Sequence, residues 1–209
     1  MRGLSLISSG IDSPVASYVM LKLGVSLDYI HFDNQPFTDG SGVDKTIRLI
    51  KALKRHSKKP CRLYIVKHGE NQAQIIKTAN RRNQCVLCRR IMLRTAERVA
   101  AGKRCDCLVT GENLGQVASQ TLTNLTTASQ SVKIPILRPL LTCDKNETVE
   151  LAKQIGTFEI SSEPGLCCVV VPKRPKTNVL PEDLVQDENS MDINALVDRA
   201  IKSMDVIEI

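Results

Sequence analysis

The chain is poor in aromatic residues and contains no long apolar run. Of its 209 residues only 3% are Phe, Trp or Tyr, and tryptophan is absent. An aromatic platform for stacking nucleic-acid bases is therefore not expected, and phosphate and shape contacts would have to serve any RNA partner. The sequence has no apolar stretch of the roughly 20 residues needed to span a membrane, and its N-terminus lacks a secretory signal pattern. We expect a cytoplasmic protein with no membrane contact.

Charge and cysteine content narrow the possibilities. The chain has 29 basic and 22 acidic residues, a net charge of +7, which favours an anionic partner such as a nucleotide or nucleic acid. A basic enzyme without such a partner fits equally well. Eight cysteines are many for a chain of this size without an export signal, so thiol chemistry or metal ligation is a better explanation than a disulfide scaffold.

Strand-like and helix-like segments alternate along the chain. Short apolar runs such as SLDYIHF and CRLYIVKH are separated by amphipathic stretches, including residues 42–57, 70–101 and 112–130. Alternation of this kind predicts an α/β fold, a Rossmann-like, mostly parallel sheet with helices on both faces, in a single domain over residues 1–209. Residues 172–190 are predicted to be a surface excursion, followed by a last helix in MDINALVDRAIKSM and a closing strand in VIEI.

The stretch SSGIDS, residues 8–13, lies between the first predicted strand and the first predicted helix. Gly10 allows a positive φ and close approach of a phosphate, Pro14 suits the first helical position, and the helix N-terminal amides complete an anion site. The pattern is neither a Walker A loop nor G-x-G-x-x-G. From these residues alone, a capped helix start is the alternative.

SSGIDS resembles the Ser-Gly-Gly-x-Asp-Ser loop of the PP-loop ATP pyrophosphatases, with Ser9 in place of the first glycine. LVTGENLGQVASQTLTNL (residues 108–125), IHFDNQPFTD, RPLLTCDKNETVELAKQIGT and VIEI resemble, in order and spacing, the ThiI family of tRNA uracil 4-sulfurtransferases. The resemblance covers the chain as a catalytic domain of PP-loop ATP pyrophosphatase type, without the ferredoxin-like and THUMP regions of the family. We therefore expect that a separate THUMP-domain protein or the chain's own basic surface binds tRNA, or that the substrate differs.

The resemblance implies an ATP-dependent reaction that gives 4-thiouridine. Uridine O4 would attack the α-phosphorus of ATP and release pyrophosphate, and sulfur would then attack C4 and expel AMP. Asp12 would place Mg²⁺ or orient the phosphates, and Lys145 would stabilise charge on them; a solvated lysine is the alternative. The predicted ATP-binding residues are Ser8, Ser9, Gly10, Asp12, Ser13, His31, Phe32, Gly111, Glu112 and Gln116. For Glu112 a first-turn helix acid, and for His31 and Phe32 a packed strand end, are the alternatives.

Cys85 and Cys88 form a C-x-x-C pair, which at helical spacing can share a metal or cluster. Two buried thiols are the alternative, and a second C-x-x-C that would complete a zinc site is absent. The resemblance implies a third cysteine, Cys168 with Cys167 as its neighbour, and a [4Fe–4S] cluster held by three thiolates with sulfide as donor. A persulfide on Cys168, supplied by a cysteine desulfurase, is the other route, although the rhodanese domain of bacterial members is missing. The remaining cysteines are predicted to pack in the core.

Basic residues cluster beside the cysteine pair. Arginines next to the proposed sulfur site are predicted to bind RNA phosphates, with a solvated helix face as the alternative. The predicted RNA-binding residues are Arg81, Arg82, Arg89, Arg90, Lys173 and Arg174. The family also leads us to expect a homodimer.

Other functions remain open at this point. The chain could be another PP-loop tRNA thiolase, for instance a 2-thiocytidine or 2-thiouridine enzyme, or a nucleotide-binding subunit of a THUMP-containing complex. A zinc-stabilised RNA-binding module is a third possibility, disfavoured by the number of ligands.

Overall fold

The computed structural model describes residues 1–57, 59–165 and 168–209. Within them, six strands form one sheet in the order β5-β4-β1-β2-β3-β6, and only β6 runs antiparallel to its neighbour. The chain leaves β1 towards β2 and β3 on one side, and β4 and β5 lie on the other. The strands are β1 (Arg2–Leu6), β2 (Ser26–Asp33), β3 (Arg62–Lys67), β4 (Cys107–Val109), β5 (Ile136–Leu137) and β6 (Asp205–Glu208).

Helices cover both faces of this sheet, as predicted. They are α1 (Asp12–Lys22), α2 (Ser41–Leu53), α3 (Gly69–Thr78), α4 (Gln84–Gly102), α5 (Leu122–Ser129), α6 (Lys145–Gln154), α7 (Phe158–Ser162), α8 (Pro181–Asn189) and α9 (Ile193–Lys202). Alternate residues of the strands point to opposite faces, so Leu27 and Tyr29 pack against α1, α2 and α6, whereas Ile30 and Phe32 pack against α4, α5 and α9.

Three predicted segments differ from the structure. Residues 70–101 form two helices because the chain turns at residues 79–83, where Asn80 Oδ1 accepts a hydrogen bond from the Arg82 amide. Of residues 112–130 only α5 is α-helical, starting after Thr121, whose side chain caps the Asn124 amide. Residues 172–190 are a surface excursion only in part, because α8 buries Leu184 in a cluster with α3, α4 and α9.

The sheet order places the ends of β1 and β4 side by side. The two strands are parallel neighbours, with Ser5 opposite Val109, and their chains continue to opposite sides of the sheet. Such a switch point leaves a crevice outside the carboxyl ends of the strands, where open α/β sheets bind ligands. No described helix has both the length and the apolarity needed to cross a membrane.

Candidate active site

The loop between β1 and α1 closes on itself through serine hydrogen bonds. The Ser8 amide donates to Ser13 Oγ at 2.8 Å, and the Gly10 amide lies 3.3 Å from Ser8 Oγ. Gly10 does not adopt the positive φ that a glycine allows; the glycines with positive φ are Gly24, Gly115 and Gly156. A Cβ added at Gly10 would have only Ser8 Oγ within 4 Å, at 3.6 Å, so the space beside this residue is free of other protein atoms. Pro14 is the third helical residue rather than the first.

This loop forms one wall of a cavity of about 250 Å³ at the switch point, which we call the loop cavity. Eight of the ten predicted ATP-binding residues line it. Ser9 lines a neighbouring cavity. Gln116 is exposed and lines neither cavity, because the chain turns away at Gly115. Gln120 lines the loop cavity instead. The eight residues are Ser8, Gly10, Asp12, Ser13, His31, Phe32, Gly111 and Glu112.

Asp12, which lines this cavity, pairs with Lys145. Lys145 Nζ donates to Asp12 Oδ1 at 2.7 Å. Asp144 fixes the start of α6 by accepting a hydrogen bond from the Asn146 amide at 2.7 Å, so Lys145 is the first helical residue. The side chains of Lys145 and Asp12 are 46% and 26% exposed, which leaves both groups accessible to an incoming anion or cation.

Gly111 brings the end of β4 against the start of α1. A Cβ at this position would lie 2.6 Å from both the amide nitrogen and the Cα of Ser13. Backbone atoms cannot yield as a flexible side chain can, so no larger residue fits without moving the serine loop. Close packing at Gly111 therefore fixes the loop relative to the sheet.

Glu112 anchors a buried charge network at the back of the loop cavity. Its side chain is 2% exposed and accepts hydrogen bonds from Arg89 and Arg138, and from Thr110 Oγ1 at 2.9 Å. Burial lowers the pKa of Arg89, an effect that the nearby Cys88 opposes. Removal from water favours the neutral form of an arginine side chain. The Glu112 carboxylate therefore stabilises the charged guanidinium groups of Arg89 and Arg138 at this site.

His31 and Phe32 close the loop cavity at the end of β2. His31 Nδ1 lies 3.0 Å from the Ile7 carbonyl oxygen and 3.3 Å from Thr46 Oγ1. Burial lowers the His31 pKa, although the Ile7 carbonyl and Asp33 act in the opposite direction. The Phe32 ring packs edge-on against His68, with ring centroids 5.4 Å apart.

The three described cysteines predicted to act together converge on a second cavity of about 170 Å³, the thiol cavity. Cys85 and Cys88 lie in the first turns of α4, and Cys168 faces them from the segment before α8. Burial raises the pKa of Cys88 to about 12, and the nearby Cys168 and Cys85 add to the effect. Cys167, the predicted neighbour, lies outside the described residues. The described cysteines form no disulfide.

His68 contacts this group and was not predicted from the sequence. Its Nε2 lies 3.2 Å from Cys88 Sγ, and its Nδ1 lies 3.4 Å from Asn71 Nδ2. Burial lowers the His68 pKa to about 4. The only signal in the sequence is its place at the end of a strand, which does not show that it faces α4.

The residues around the thiol cavity can be compared with the needs of an iron–sulfur cluster. Among the described residues, no three His, Cys, Asp or Glu side chains are grouped to hold one metal ion. A cluster is larger than an ion and takes sulfur ligands from around its own volume. Three cysteines line the cavity, together with the apolar residues Met92, Val170 and Val171. These residues fit an iron–sulfur cluster in donor type and surroundings.

A third cavity, of about 390 Å³, connects the serine loop with Cys168. On its wall the buried Lys45 donates to the carbonyl oxygens of Glu163, at 2.5 Å, and Pro164, at 2.9 Å. The Glu163 carboxylate also accepts from Arg48 Nη1 at 2.7 Å. Helix α2 thus holds the chain just before the cysteine segment, a contact that no pattern in the sequence indicates.

Comparison with known proteins identifies the family of this chain. The family model described as thiamine biosynthesis protein (ThiI) matches residues 1–193. The chain belongs to the ThiI family. It is 41% identical over 210 residues to the probable tRNA sulfurtransferase of Finegoldia magna, a match that covers 100% of this chain and 54% of the relative. It is 37% identical over 210 residues to the probable tRNA sulfurtransferase of Coxiella burnetii, which covers 100% of this chain and 53% of the relative. The chain thus spans about half the length of the curated relatives it matches.

Solved structures give the same result for the fold. A crystal structure of a 4-thiouridine synthetase–RNA complex with bound ATP matches with a TM-score of 0.95 and 38% identity, over 100% of this chain and 55% of that one. NMN synthetase from Francisella tularensis matches with a TM-score of 0.59 and 14% identity, over 96% of this chain and 76% of that one, and shares the fold alone. The predicted fold, a mostly parallel sheet of PP-loop ATP pyrophosphatase type, is confirmed.

The predicted RNA-binding residues of this ThiI-family chain divide into three kinds. Arg81 and Arg82 are exposed at the turn before α4, and Lys173 and Arg174 are exposed near by in sequence to Cys168. Arg89 points into the cavities. The prediction that Arg90 binds RNA is wrong. Its side chain is buried, with Nε 2.8 Å from Glu188 Oε1 and Nη1 2.6 Å from the Thr127 carbonyl oxygen, so it is not available to a phosphate.

Proposed function

We propose that this chain is the catalytic domain of an ATP-dependent tRNA sulfurtransferase that converts uridine to 4-thiouridine. The observation that carries the proposal is the contact between two cavities: the loop cavity, lined by Asp12, and the thiol cavity, lined by the three cysteines, share part of their lining. A reaction that activates a base with ATP and then delivers sulfur to it needs both within reach of one carbon atom. Membership of the ThiI family and the ATP- and RNA-bound relative support the same assignment.

ATP is proposed to bind with its phosphates on the serine loop. The amides at the start of α1 and the Ser8 and Ser13 hydroxyls lie there, and helix N-termini favour anions. Asp12 fits Mg²⁺, which binds proteins through one or two carboxylates together with substrate phosphates. Bound Mg²⁺ would neutralise phosphate charge, and Lys145 would contribute a second positive charge.

The proposed chemistry has two balanced steps. Uridine O4 forms a bond to the α-phosphorus of ATP while the bond to the β-phosphate oxygen breaks, so pyrophosphate leaves and O4 carries AMP. Hydrosulfide then adds to C4, the C4–O bond breaks, and AMP leaves with the original oxygen while the sulfur proton is released. Catalysis in the first step rests on positioning and charge neutralisation by Asp12 and Lys145.

The thiol cavity is proposed to supply the sulfur. Cys85, Cys88 and Cys168 would hold a [4Fe–4S] cluster, which with three protein ligands offers an open iron position for inorganic sulfide. His68, in contact with Cys88, would orient that sulfur. A persulfide on Cys168, supplied by a cysteine desulfurase, is the alternative sulfur source, and the two differ in iron content.

Binding of tRNA is proposed to use the exposed basic residues Arg81, Arg82, Lys173 and Arg174. Residues 1–209 are proposed to act as one domain, because the helices on both faces pack on a single sheet. A homodimer, a separate THUMP-domain protein and a cytoplasmic location remain predictions.

Pyrophosphate release tests the proposal. The chain should release pyrophosphate from ATP only when tRNA is added, and Asp12→Ala should abolish the release. A wild-type chain that binds ATP but releases no pyrophosphate with any tRNA would instead indicate a nucleotide-binding subunit.

Iron analysis tests the sulfur source. Protein purified without oxygen should contain several irons with matching sulfide, and Cys85→Ser should lose them. Cys61→Ser is the matched control, because Cys61 lies at the far edge of the sheet and hydrogen-bonds the Ile209 carbonyl oxygen. Wild-type protein that contains no iron after reconstitution would exclude the cluster and leave the persulfide route.

A further inference from the structure

Three residues line both the loop cavity and the thiol cavity: Asn34, Arg89 and Met92. In the proposed reaction, the oxygen on one base carbon must reach the α-phosphorus, and sulfur must reach the same carbon. The base therefore has to lie where the two cavities meet. The shared residues mark that place.

Asn34 carries an unsatisfied hydrogen-bond acceptor at this junction. Its Oδ1 is buried and has no hydrogen-bond donor among the described residues. Buried polar atoms of native proteins are rarely left without a partner, and an exception calls for a missing one. Asn34 also lines the third cavity, between the serine loop and Cys168, so all three cavities open onto this side chain.

Resting on the function proposed above, we propose that Asn34 is the residue that recognises the target base, with its Oδ1 accepting a hydrogen bond from uracil N3–H. On the Watson–Crick edge, uracil presents a donor at N3, where cytosine presents an acceptor. An acceptor presented to the base at N3 therefore favours uracil over cytosine, since a wrong base leaves two acceptors facing each other.

The same hydrogen bond favours the first chemical step. When O4 bonds to phosphorus, electron density leaves the ring and N3–H becomes more acidic. The hydrogen bond to Asn34 Oδ1 is then stronger in the transition state than in the bound substrate, which is the condition for raising kcat. Asn34 thus acts on the rate of base activation rather than on ATP affinity.

Met92 and Arg89 complete the subsite. Met92 offers an apolar, polarisable side chain to the base, and its Sδ lies 3.9 Å from Cys88 Sγ, which places it beside the sulfur source. Arg89 is held by the buried Glu112, so its guanidinium is fixed beside the position of the reacting groups. Asn34 is the member whose chemistry distinguishes one base from another.

Variants of Asn34 test this inference. In Asn34→Ala, kcat for tRNA-dependent pyrophosphate release should fall about 30-fold, as for loss of a buried hydrogen bond, while the Kd for ATP measured without tRNA stays within about twofold of the wild type. Asn34→Asp keeps an acceptor in place and should recover part of the loss. An unchanged kcat in Asn34→Ala, or a weakened ATP affinity that accounts for the whole loss, would overturn the inference.

A photochemical measurement locates the base itself. Transfer RNA with 4-thiouridine at the modified position, irradiated with near-ultraviolet light in the presence of the wild-type chain, should crosslink to peptides that contain Asn34 or Met92. No crosslink, or one confined to other peptides, would overturn the inference. If the wild type releases pyrophosphate with tRNA but gives no crosslink to these peptides, the base subsite alone is refuted. If the wild type releases no pyrophosphate with tRNA, the proposed function is refuted and the subsite with it.

Discussion

Lys145 Nζ lies 2.7 Å from Asp12 Oδ1, although 133 residues separate the two in the chain. Asp12 belongs to the first turn of α1 and Lys145 to the first turn of α6, and these two helices pack on the same face of the sheet. The contact joins the two residues proposed to act on the phosphates of ATP. It also balances their charges until a ligand arrives.

Replacing either residue should remove activity without unfolding the chain. Asp12→Asn and Lys145→Met should each lower the rate of tRNA-dependent pyrophosphate release about 100-fold or more, as for loss of a positioned charge in a phosphoryl site. The free energy of unfolding should change by less than about 1 kcal/mol, because the ion pair is partly exposed. Rates and urea unfolding curves measure the two effects. Variants that lose activity and stability together would show a structural role instead.

Gly111→Ala should disable the serine loop. The added Cβ would lie 2.6 Å from two backbone atoms of Ser13, so the loop or β4 must move. Since a displacement of about 1 Å in a catalytic site can cost about 100-fold in rate, we expect a loss of that order in pyrophosphate release. Gly102→Ala is the matched control: no atom lies within 4 Å of its Cβ position, and activity should be retained. Normal activity in Gly111→Ala would contradict the tight contact.

Arg90 and Arg81 should separate stability from RNA binding. Arg90→Ala leaves Glu188 and the Thr127 carbonyl with fewer partners in a buried site, and should destabilise the fold by about 3 kcal/mol. Arg81→Ala should leave the free energy of unfolding within about 0.5 kcal/mol of the wild-type value. The slope of log tRNA affinity against log salt concentration should fall by the amount expected for about one lost phosphate contact. Urea unfolding and a salt titration of tRNA affinity measure these outcomes. A stable Arg90→Ala with weakened tRNA binding would reverse the assignment.

His31 should make the fold less stable in acid. Burial lowers its folded-state pKa, so below the unfolded value of about 6.5 the unfolded chain binds a proton that the folded chain does not. Stability is therefore lost as pH falls through this range, by at most about 1.4 kcal/mol per pH unit for one group. His31→Gln should reduce this slope relative to wild type in urea unfolding at several pH values. Identical slopes would show that His31 titrates normally when folded.

Much of the fold could be predicted because strands and helices carry their own periodicity. The order of strand ends also placed Asp12, Gly111 and Phe32 at one crevice before any contact was known. Arg90 was misassigned because a basic run next to cysteines looks the same whether its residues face solvent or not. Its partner Glu188 is 98 residues away, on a helix taken for a surface excursion.

The missed residues share one property. Asn34 and His68 follow strand ends, as ligand-binding residues often do, but nothing in their neighbourhood marks their chemistry. An unsatisfied acceptor and a contact with Cys88 exist only after distant elements pack together. Residue patterns identify motifs, whereas the junction of two cavities has to be seen in three dimensions.

Nucleoside analysis of tRNA tests the central claim most directly. Unmodified tRNA is incubated with the chain, ATP, Mg²⁺ and sulfide, digested to nucleosides and examined by mass spectrometry. The account predicts a uridine in which one oxygen is replaced by sulfur at position 4, dependent on ATP and absent with Asp12→Ala. A thiolated cytidine, sulfur at position 2 of uridine, or no thiolated nucleoside in the presence of bound tRNA and ATP would contradict it.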